Sequence, residues 1–466
     1  ALAARVEAGE LPPLSERLPA TPLVVTPWET IGQYGGTWRM GLLGGGDGAS
    51  LDRTIGYDYL FRWDLDYTRS MPNVLESYEV SEDASGWTFH LRKGMKWSDG
   101  VDFTAADLMF WWEDFQSNAE LMPGGPAGWT KVGGEPGVWT KVDDYTIEIQ
   151  FAGSNGLFHA RMAEPDAGWP MVALPKHWME KYHKDYNPDV EALVAEEGVE
   201  DWVTLFQNHR PQFQENDRPT LCAWYMTSAY GEETSVVRAA RNPYYWKVDS
   251  EGRQLPYIDE VMFDVAQDAE VLVLKAMNGE IDCQGRHIAT AANKATFAEY
   301  REKGNYRFVT EQHTSPNRMC LYLNLCHKDP LKREVFRNKD FRIGLSHALN
   351  RQELIDTVWM RAGEPYQVAP MRDDKFFHEQ LATQYIEYYV DKANEILDTV
   401  LPEKDAEGYR LQPDGQRLQI ILAVDNAGEA RQDAMQLVAK YWNAVGVQTE
   451  VRVQERAFFY DEKAAN

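Results

Sequence analysis

The clearest pattern of hydrophobic and polar positions lies between residues 75 and 115. Trp87, Phe89 and Leu91 alternate with polar residues, which predicts a half-buried strand. The turn-forming run SEDASG precedes this strand, and KGMKWSDG follows it. Thr104 and Asp107 then have the spacing of a capping box, with Asp in place of the usual Glu or Gln, before an apolar helical stretch. The block predicts a strand, a turn, a loop and a capped helix, an order that many folds contain.

The last third of the chain predicts a unit of parallel β-structure. Residues 418–424 and 447–453 are typical of strands, and residues 429–445 between them are typical of a helix that ends at Gly446. A strand, a helix and a second strand in this order form a βαβ unit, whose strands run parallel. Further elements are predicted at residues 1–10 (helix), 261–265 (strand), 268–278 (helix) and 306–309 (extended segment). The sequence therefore predicts a mixed α/β fold.

The composition excludes several classes of protein. With 47 Lys and Arg against 73 Asp and Glu, the formal net charge is −26, whereas nucleic acid and anionic lipid require a basic face. No run approaches the roughly 18 consecutive apolar residues that a membrane span needs. The 44% hydrophobic and 26% charged residues are typical of globular proteins, and 466 residues suffice for about three domains. We therefore expect a folded protein that is not embedded in a membrane and has no nucleic-acid partner.

Motifs for common enzyme chemistry are missing from the sequence. There is no phosphate-binding G-x-x-x-x-G-K-[ST], no G-x-S-x-G nucleophile elbow and no H-E-x-x-H zinc motif. We interpret His177 and His183 as exposed residues rather than as a pair of metal ligands. With 73 carboxylates, close acidic pairs arise by chance, so they do not indicate a glycosidase dyad. We predict no catalytic residue, no metal site and no cofactor.

Four cysteines, Cys222, Cys283, Cys320 and Cys326, are widely spaced and form no C-x-x-C motif. Cys320 and Cys326 flank residues 321–325, which are typical of a strand. Six residues along an extended strand span about 20 Å, which is too far for a disulfide between these two. Buried free thiols and a single disulfide elsewhere both remain open.

The block at residues 75–115 also has a specific resemblance when it is compared as a whole. LESYEVSEDASGWTFHLRKGMKWSDGVDFTAADL resembles, position after position, the signature of the peptide-type (family 5) extracytoplasmic solute-binding proteins of ABC importers. Four later segments resemble that family's motifs in the family's order: RNPYYW, AMNGEID, FRIGLSHALNRQEL and AMQLVAKYWNAVGVQTEV. The resemblance covers residues 24–459, and the chain is identified as a member of this family.

The resemblance implies a two-lobed α/β fold, the class II periplasmic-binding-protein clamshell, which encloses its ligand between the lobes by a hinge motion. It implies a surface segment at residues 1–23, lobe I at 24–52 and 201–290, an insert subdomain at 53–200 and lobe II at 305–466. Family members return to lobe I after lobe II, and the sequence stops where that return would begin. We therefore expect lobe I to lack this C-terminal segment.

The resemblance also implies where a ligand would bind, because loops at strand ends line the site in such a fold. The candidates in lobe I are Gly45, Gly46, Asp47 and Trp224. The candidates in lobe II are Asn317, Tyr322, Asn324, Trp359, Asp425, Asn426 and Glu429. The 16 tryptophans and 23 tyrosines offer flat faces for sugar rings, although we expect most of them to pack in cores.

Residues 425–429 bear on the type of ligand. Oligopeptide binders of this family carry an Asp just before the long helix of lobe II, and it pairs with the peptide α-ammonium. Gly428 occupies that position, with Asp425 and Glu429 nearby. A buried ammonium needs a carboxylate partner, so peptide recognition in this mode is weakened unless one of the two substitutes. The opening PWETIGQYGGTWRMG resembles a subgroup that binds α-galactosides, other oligosaccharides or opines. An oligosaccharide and a short peptide both remain open, with the oligosaccharide slightly favoured.

The sequence thus predicts a monomeric binding protein that captures an oligosaccharide or a short peptide and delivers it to the permease of an ABC importer. The alternative is an extracellular hydrolase of glycosides or peptides. The chain begins at Ala1 without a leader or a lipid-attachment Cys, so we expect a processed, soluble periplasmic protein.

Overall fold

The structure is a computed structural model that describes residues 2–44, 46–231, 233–310, 315–426 and 428–465. The chain divides into two units, residues 1–307 and residues 308–466, which are named unit 1 and unit 2 below. Helices and strands are mixed in both units, in agreement with the predicted α/β class.

Unit 1 begins with a segment that packs on the rest of the unit through a buried arginine. Its elements are α1 (Leu2–Glu7), α2 (Leu14–Arg17), β1 (Leu23–Val25), β2 (Thr37–Leu43) and α3 (Ala49–Thr54). Helix α1 is shorter than the ten residues expected. The guanidinium of Arg17 donates to the Pro12 carbonyl at 3.0 Å and to Gln254 Oε1 at 3.0 Å, so the segment is fixed by hydrogen bonds that connect distant parts of unit 1.

The middle of unit 1 contains a four-stranded antiparallel sheet and several short helices. Its elements are β3 (Phe61–Trp63), β4 (Ser70–Pro72), β5 (Leu75–Val80), β6 (Gly86–Leu91), α4 (Ala105–Met109), β7 (Lys131–Val132), β8 (Glu135–Pro136), β9 (Val138–Asp143), β10 (Thr146–Gln150), α5 (Phe158–Met162), α6 (Pro165–Val172), α7 (Lys176–Met179), α8 (Val190–Glu197) and α9 (Trp202–His209). The strand order is β5-β6-β10-β9. One face of this sheet and the helices enclose the largest apolar core of the chain.

Two predictions for this region are confirmed. Trp87, Phe89 and Leu91 on β6 are buried, and the residues between them are half-buried. The capping box is present at the start of α4: the Thr104 side chain accepts from the Ala106 N–H at 3.2 Å, and the Thr104 N–H donates to Asp107 at 2.9 Å. A π-helix, Phe110–Gln116, continues α4.

The rest of unit 1 builds a second sheet, and this sheet positions one candidate site. Its elements are β11 (Trp224–Ser228), β12 (Val236–Arg241), β13 (Lys247–Asp249), β14 (Glu260–Ala266), α10 (Ala269–Met277) and α11 (Lys294–Gly304). The strand order is β11-β12-β14-β2, in which β14 and β2 run parallel. The two parallel strands end side by side, because Leu43 is paired with Ala266. Strand β14 and helix α10 confirm the strand and the helix expected here.

Unit 2 contains the predicted βαβ unit. Its elements are α12 (Pro330–Arg337), α13 (Lys339–His347), α14 (Arg351–Thr357), α15 (Glu379–Thr383), α16 (Val390–Val400), β15 (Gln419–Asp425), α17 (Glu429–Ala444), β16 (Gln448–Gln454) and α18 (Arg456–Ala465). Strands β15 and β16 pair in parallel from Gln419 with Gln448 to Asp425 with Gln454. Helix α17 packs on both strands through the apolar core of the unit, so the βαβ prediction is confirmed.

Three local expectations differ from the structure. Residues 321–325 and 306–309 form no strand. In the first segment buried and exposed side chains still alternate: Leu321 and Leu323 pack on the core of unit 2, and Tyr322 is 84% exposed. The segment nevertheless pairs with no other strand of the described chain. His183 is buried rather than exposed and bonds to the Asp114 carbonyl at 3.2 Å. Cys320 has a free thiol, so it forms no bridge with Cys326, as expected.

Candidate functional site

The loop after β2 is held in place by the buried carboxylate of Asp47. The side chain of Asp47 is 2% exposed. Its Oδ1 accepts from Arg286 Nε at 2.7 Å, and its Oδ2 contacts His287 Nε2 at 2.8 Å and accepts from the Leu43 N–H at 3.1 Å. The Tyr230 hydroxyl accepts from the Asp47 N–H at 2.6 Å. We name Asp47, Tyr230, Arg286 and His287 the Asp47 cluster.

The electrostatics of the cluster keep Asp47 ionised. Burial alone would raise the pKa of Asp47, but hydrogen bonds from His287, Arg286 and the Leu43 N–H outweigh it and lower the pKa to about 2. The negative charge of Asp47 therefore balances the positive charge of Arg286 across the pH range in which proteins work.

The segment that carries Arg286 and His287 is attached to the free edge of β2. The Asp282 N–H donates to the Arg39 carbonyl at 2.9 Å. The side-chain amide of Gln284 accepts from the Gly41 N–H at 3.0 Å and donates to the Gly41 carbonyl at 3.2 Å. Two residues further on, Arg286 reaches Asp47. These contacts place Arg286 and His287 beside the carboxyl ends of the parallel strands β2 and β14, where open α/β sheets bind ligands.

The other predicted residues of lobe I have different surroundings. Gly46 is exposed and has no atom within 4 Å of the place where a Cβ would stand. Gly45 lies outside the described residues. Trp224 is half-buried on β11, donates from Nε1 to the Ile258 carbonyl at 3.1 Å and packs on Trp38 with ring centroids 6.0 Å apart. The hydrogen-bond donor of Trp224 is thus used within the protein, whereas the loop that carries Gly46 is open.

Unit 2 contains a pocket of about 940 Å³. Its walls include residues 316–321, Leu323, parts of helices α13 and α14, and most of the segment 359–373. Two predicted residues, Asn317 and Trp359, line it. Asn317 is fixed by a hydrogen bond from Nδ2 to the Gln367 carbonyl at 3.2 Å, and the Gln367 side chain donates in turn to Ser346 Oγ at 3.0 Å. The wall that holds Asn317 is therefore organised by hydrogen bonds between distant segments of unit 2.

Four arginines line this pocket, Arg318, Arg342, Arg351 and Arg372, and the last three are engaged by the protein. Arg342 donates to the Phe336 and Arg337 carbonyls, both at 2.7 Å. Arg351 donates to the Ser346 carbonyl at 2.9 Å, and burial lowers its pKa to about 10. Arg372 forms ion pairs with two glutamates. The remaining lining is mainly apolar and aromatic, which is typical of sites that bind small molecules through flat faces and a few polar groups.

The structure does not bring the other predicted residues of lobe II into this pocket. Tyr322 and Asn324 are exposed and do not line it. The Asp425 carboxylate is buried at the end of β15 and accepts from Arg431 Nη2 at 2.8 Å. Asn426 is exposed, and its N–H donates to the Gln454 carbonyl at 2.8 Å. Glu429 begins α17, and its side chain lies outside the described part of the chain. The ligand contacts predicted for these residues stay predictions.

Arg286 and His287 were not among the residues predicted from sequence. They lie roughly 240 positions from Asp47 along the chain, and no local periodicity indicates that the two segments meet. The motif AMNGEID ends four residues before Arg286. It indicated where α10 ends, but it did not predict the course of the segment that follows.

Comparisons with known proteins define the class of the chain. The family described as bacterial extracellular solute-binding proteins, family 5, matches residues 70–466. A periplasmic α-galactoside-binding protein from Rhizobium meliloti is 26% identical over 458 residues, which are 90% of this chain and 62% of that protein. The chain thus spans less than two thirds of the length of this relative.

Two solved structures are similar to this chain over nearly all of its length. An oligopeptide-binding protein OppA is 35% identical, with a TM-score of 0.69, and the match covers 100% of this chain and 72% of the other. The periplasmic binding protein MelB from Agrobacterium fabrum C58, solved in complex with stachyose, is 25% identical, with a TM-score of 0.73 and coverages of 98% and 70%. These similarities confirm the predicted class of fold.

The family that matches is one of extracellular binding proteins rather than of enzymes. The chain belongs to the bacterial extracellular solute-binding proteins of family 5. Among the described residues, no helix combines the length and the apolar character that crossing a membrane requires.

Proposed function

We propose that this protein is the substrate-binding component of an ABC importer, which binds an oligosaccharide or a short peptide reversibly and delivers it to the permease. The observation that carries the proposal is family membership over residues 70–466. The named relatives support both ligand classes, because one is an α-galactoside-binding protein, one was solved with stachyose and one is an oligopeptide-binding protein. The relatives also favour a periplasmic location.

The pocket of unit 2 supports this proposal on physical grounds. A volume of about 940 Å³ lies within the range of roughly 300–1,000 Å³ that small-molecule sites occupy. Trp359 offers an aromatic face, and Asn317 offers a polar group that is held in position. Such a wall suits sugar rings or apolar peptide side chains, and it needs no covalent chemistry. The protein acts in this proposal as a monomer that releases its ligand unchanged.

A thermal-shift titration tests the proposal, with the recovered ligand analysed by mass spectrometry. The panel contains uncharged oligosaccharides of two to six units, stachyose among them, and peptides of two to five residues. Stabilisation follows RT ln(1 + [L]/Kd), so a ligand at 100 times its Kd adds about 2.7 kcal/mol. We expect saturable stabilisation by one class and an intact ligand afterwards. Stabilisation by neither class, or recovery of cleaved ligand, would contradict the proposal.

A further inference from the structure

The Asp47 cluster has hydrogen-bond donors that the protein does not use. Arg286 contacts Asp47 through Nε, and no partner within the described part of the chain occupies its two terminal amino groups. His287 contacts Asp47 through Nε2. The side chain of Arg286 is 29% exposed and that of His287 is 19% exposed. A guanidinium that is anchored at one nitrogen and open at the other two is a rigid fork of donors.

The backbone at His287 is held in a conformation that non-glycine residues rarely adopt. Its φ is +68°, in the left-handed region, which is unfavourable for a residue with a Cβ. Such conformations persist only where the surroundings enforce them, and they concentrate at binding and active sites. The imidazole of His287 is at the same time held by the buried Asp47 carboxylate, at 2.8 Å. The Asp47 cluster therefore contains an unfavourable backbone conformation at His287, and it lies beside the exposed Gly46.

Two of the candidate carboxylates, one in each unit, are already compensated by arginines. Asp47 is paired with Arg286 in unit 1, and Asp425 is paired with Arg431 in unit 2. A carboxylate that is buried and paired in this way is a poor partner for the ammonium of a peptide, because the ammonium would have to displace an existing cation. The balanced charges favour a ligand without net charge.

We propose that Arg286 and His287 form a ligand-recognition site on unit 1 that binds vicinal hydroxyl groups of an uncharged oligosaccharide, with Asp47 as the residue that positions them. This inference rests on the proposed function and selects one of its two ligand classes. Two neighbouring hydroxyl oxygens match the spacing of the donors in a guanidinium fork, and the uncharged ligand leaves the Asp47–Arg286 charge balance intact.

The test measures the affinity of the full chain for stachyose by isothermal titration calorimetry, with trialanine as the peptide probe. Arg286→Lys keeps a positive charge beside Asp47 but removes the fork, so folding should persist. We expect this variant to bind stachyose at least about tenfold more weakly, which corresponds to the loss of one or two hydrogen bonds. Arg238→Lys, in an exposed ion pair with Glu260 on the same sheet, is the matched control and should bind as the parent protein does. The melting temperature of each unligated variant checks that the fold is kept.

Asp47→Asn tests the positioning role separately. Without the Asp47 charge, Arg286 becomes an uncompensated cation, so the preference between an anionic trigalacturonate and stachyose should shift towards the anion by about tenfold. A residue with a purely structural role would lower both affinities together, and that result would overturn the role assigned to Asp47.

The outcomes separate this inference from the function on which it rests. Binding of trialanine without binding of stachyose or the other uncharged oligosaccharides would overturn the inference and leave the proposed function standing. Equal stachyose affinity of Arg286→Lys and the parent protein would remove Arg286 from the site. Binding of neither class would contradict both the inference and the proposed function.

Discussion

Unit 1 depends on a buried ion pair whose contribution to stability can be predicted. Asp58 Oδ1 and Lys247 Nζ are 2.6 Å apart, and each side chain is 6% exposed. The carboxylate also accepts from the Tyr245 hydroxyl at 2.7 Å and from Asn73 Nδ2 at 3.2 Å. Burial lowers the pKa of Lys247, and the pKa of Asp58 is lowered because the lysine outweighs the effect of burial. The pair joins β13 to the segment before β3.

Removing one partner should cost much more than removing both. Lys247→Met leaves an ionised Asp58 that is buried with two neutral donors, and breaking a buried pair in this way costs about 3–5 kcal/mol. The double variant Asp58→Asn/Lys247→Met leaves no buried charge, so we expect it to lose about 2 kcal/mol or less, below the sum of the single losses. Arg238→Met, which removes an exposed pair with Glu260, is the control and should cost about 0–1 kcal/mol.

Urea unfolding followed by tryptophan fluorescence measures these differences. Trp359 and Trp442 are the two tryptophans of unit 2, so the other fourteen of the sixteen lie in unit 1 and report on its transition. The free energy of unfolding is extrapolated linearly for each variant. A loss below about 1 kcal/mol for Lys247→Met, or a double variant as unstable as the two single changes combined, would refute the reasoning about buried charge.

Three further predictions concern the candidate sites and the core. Trp359→Ala should weaken ligand binding by more than about tenfold with little loss of stability; calorimetry would exclude Trp359 from the site if affinity matched that of the control Phe376→Ala, an exposed position outside the pocket. The pKa of Asp47 is lowered to about 2 from 3.8, so its contribution of about 2 kcal/mol is complete above pH 3.8 and is lost as the pH falls towards 2. The stability of Asp47→Asn should lack this dependence on pH. Identical acid-unfolding curves for this variant and the parent protein would disprove the stabilising role of the Asp47 carboxylate. Burial raises the pKa of Cys222 to about 12, so iodoacetamide at pH 8 should leave Cys222 unmodified in the native protein and alkylate it in urea; peptide mass spectrometry would show otherwise if the thiol were accessible.

Local patterns predicted the elements that depend on local interactions. The capping box at Thr104 and Asp107 is satisfied by bonds within four residues, and the period of β6 follows from one buried face. The βαβ unit was predicted for the same reason, because the hydrophobic residues of its two strands and of its helix follow different periods. The strand expected at residues 321–325 was wrong, because alternation predicts which side chains are buried but not whether a neighbouring strand is present to pair with.

The site was predicted less completely than the fold. The resemblance to family 5 gave Asp47 and Trp359 as ligand candidates, and in the structure Asp47 lies on the loop after β2 and Trp359 lines the pocket of unit 2. Their contact with a ligand stays a prediction. The resemblance did not predict that Arg431 neutralises Asp425 or that Arg286 and His287 meet Asp47. These contacts depend on side-chain geometry between segments, and for Asp47 the segments are far apart in sequence, so no periodic pattern reports them.

Calorimetric titration of the full chain with stachyose, followed by mass spectrometry of the recovered sugar, tests the central claim most directly. The account predicts saturable binding of one molecule per chain and full recovery of the intact tetrasaccharide. Cleavage of the sugar would contradict a binding function. The absence of saturable heat with stachyose, with other uncharged oligosaccharides and with short peptides would contradict the assignment of this chain as the solute receptor of an importer.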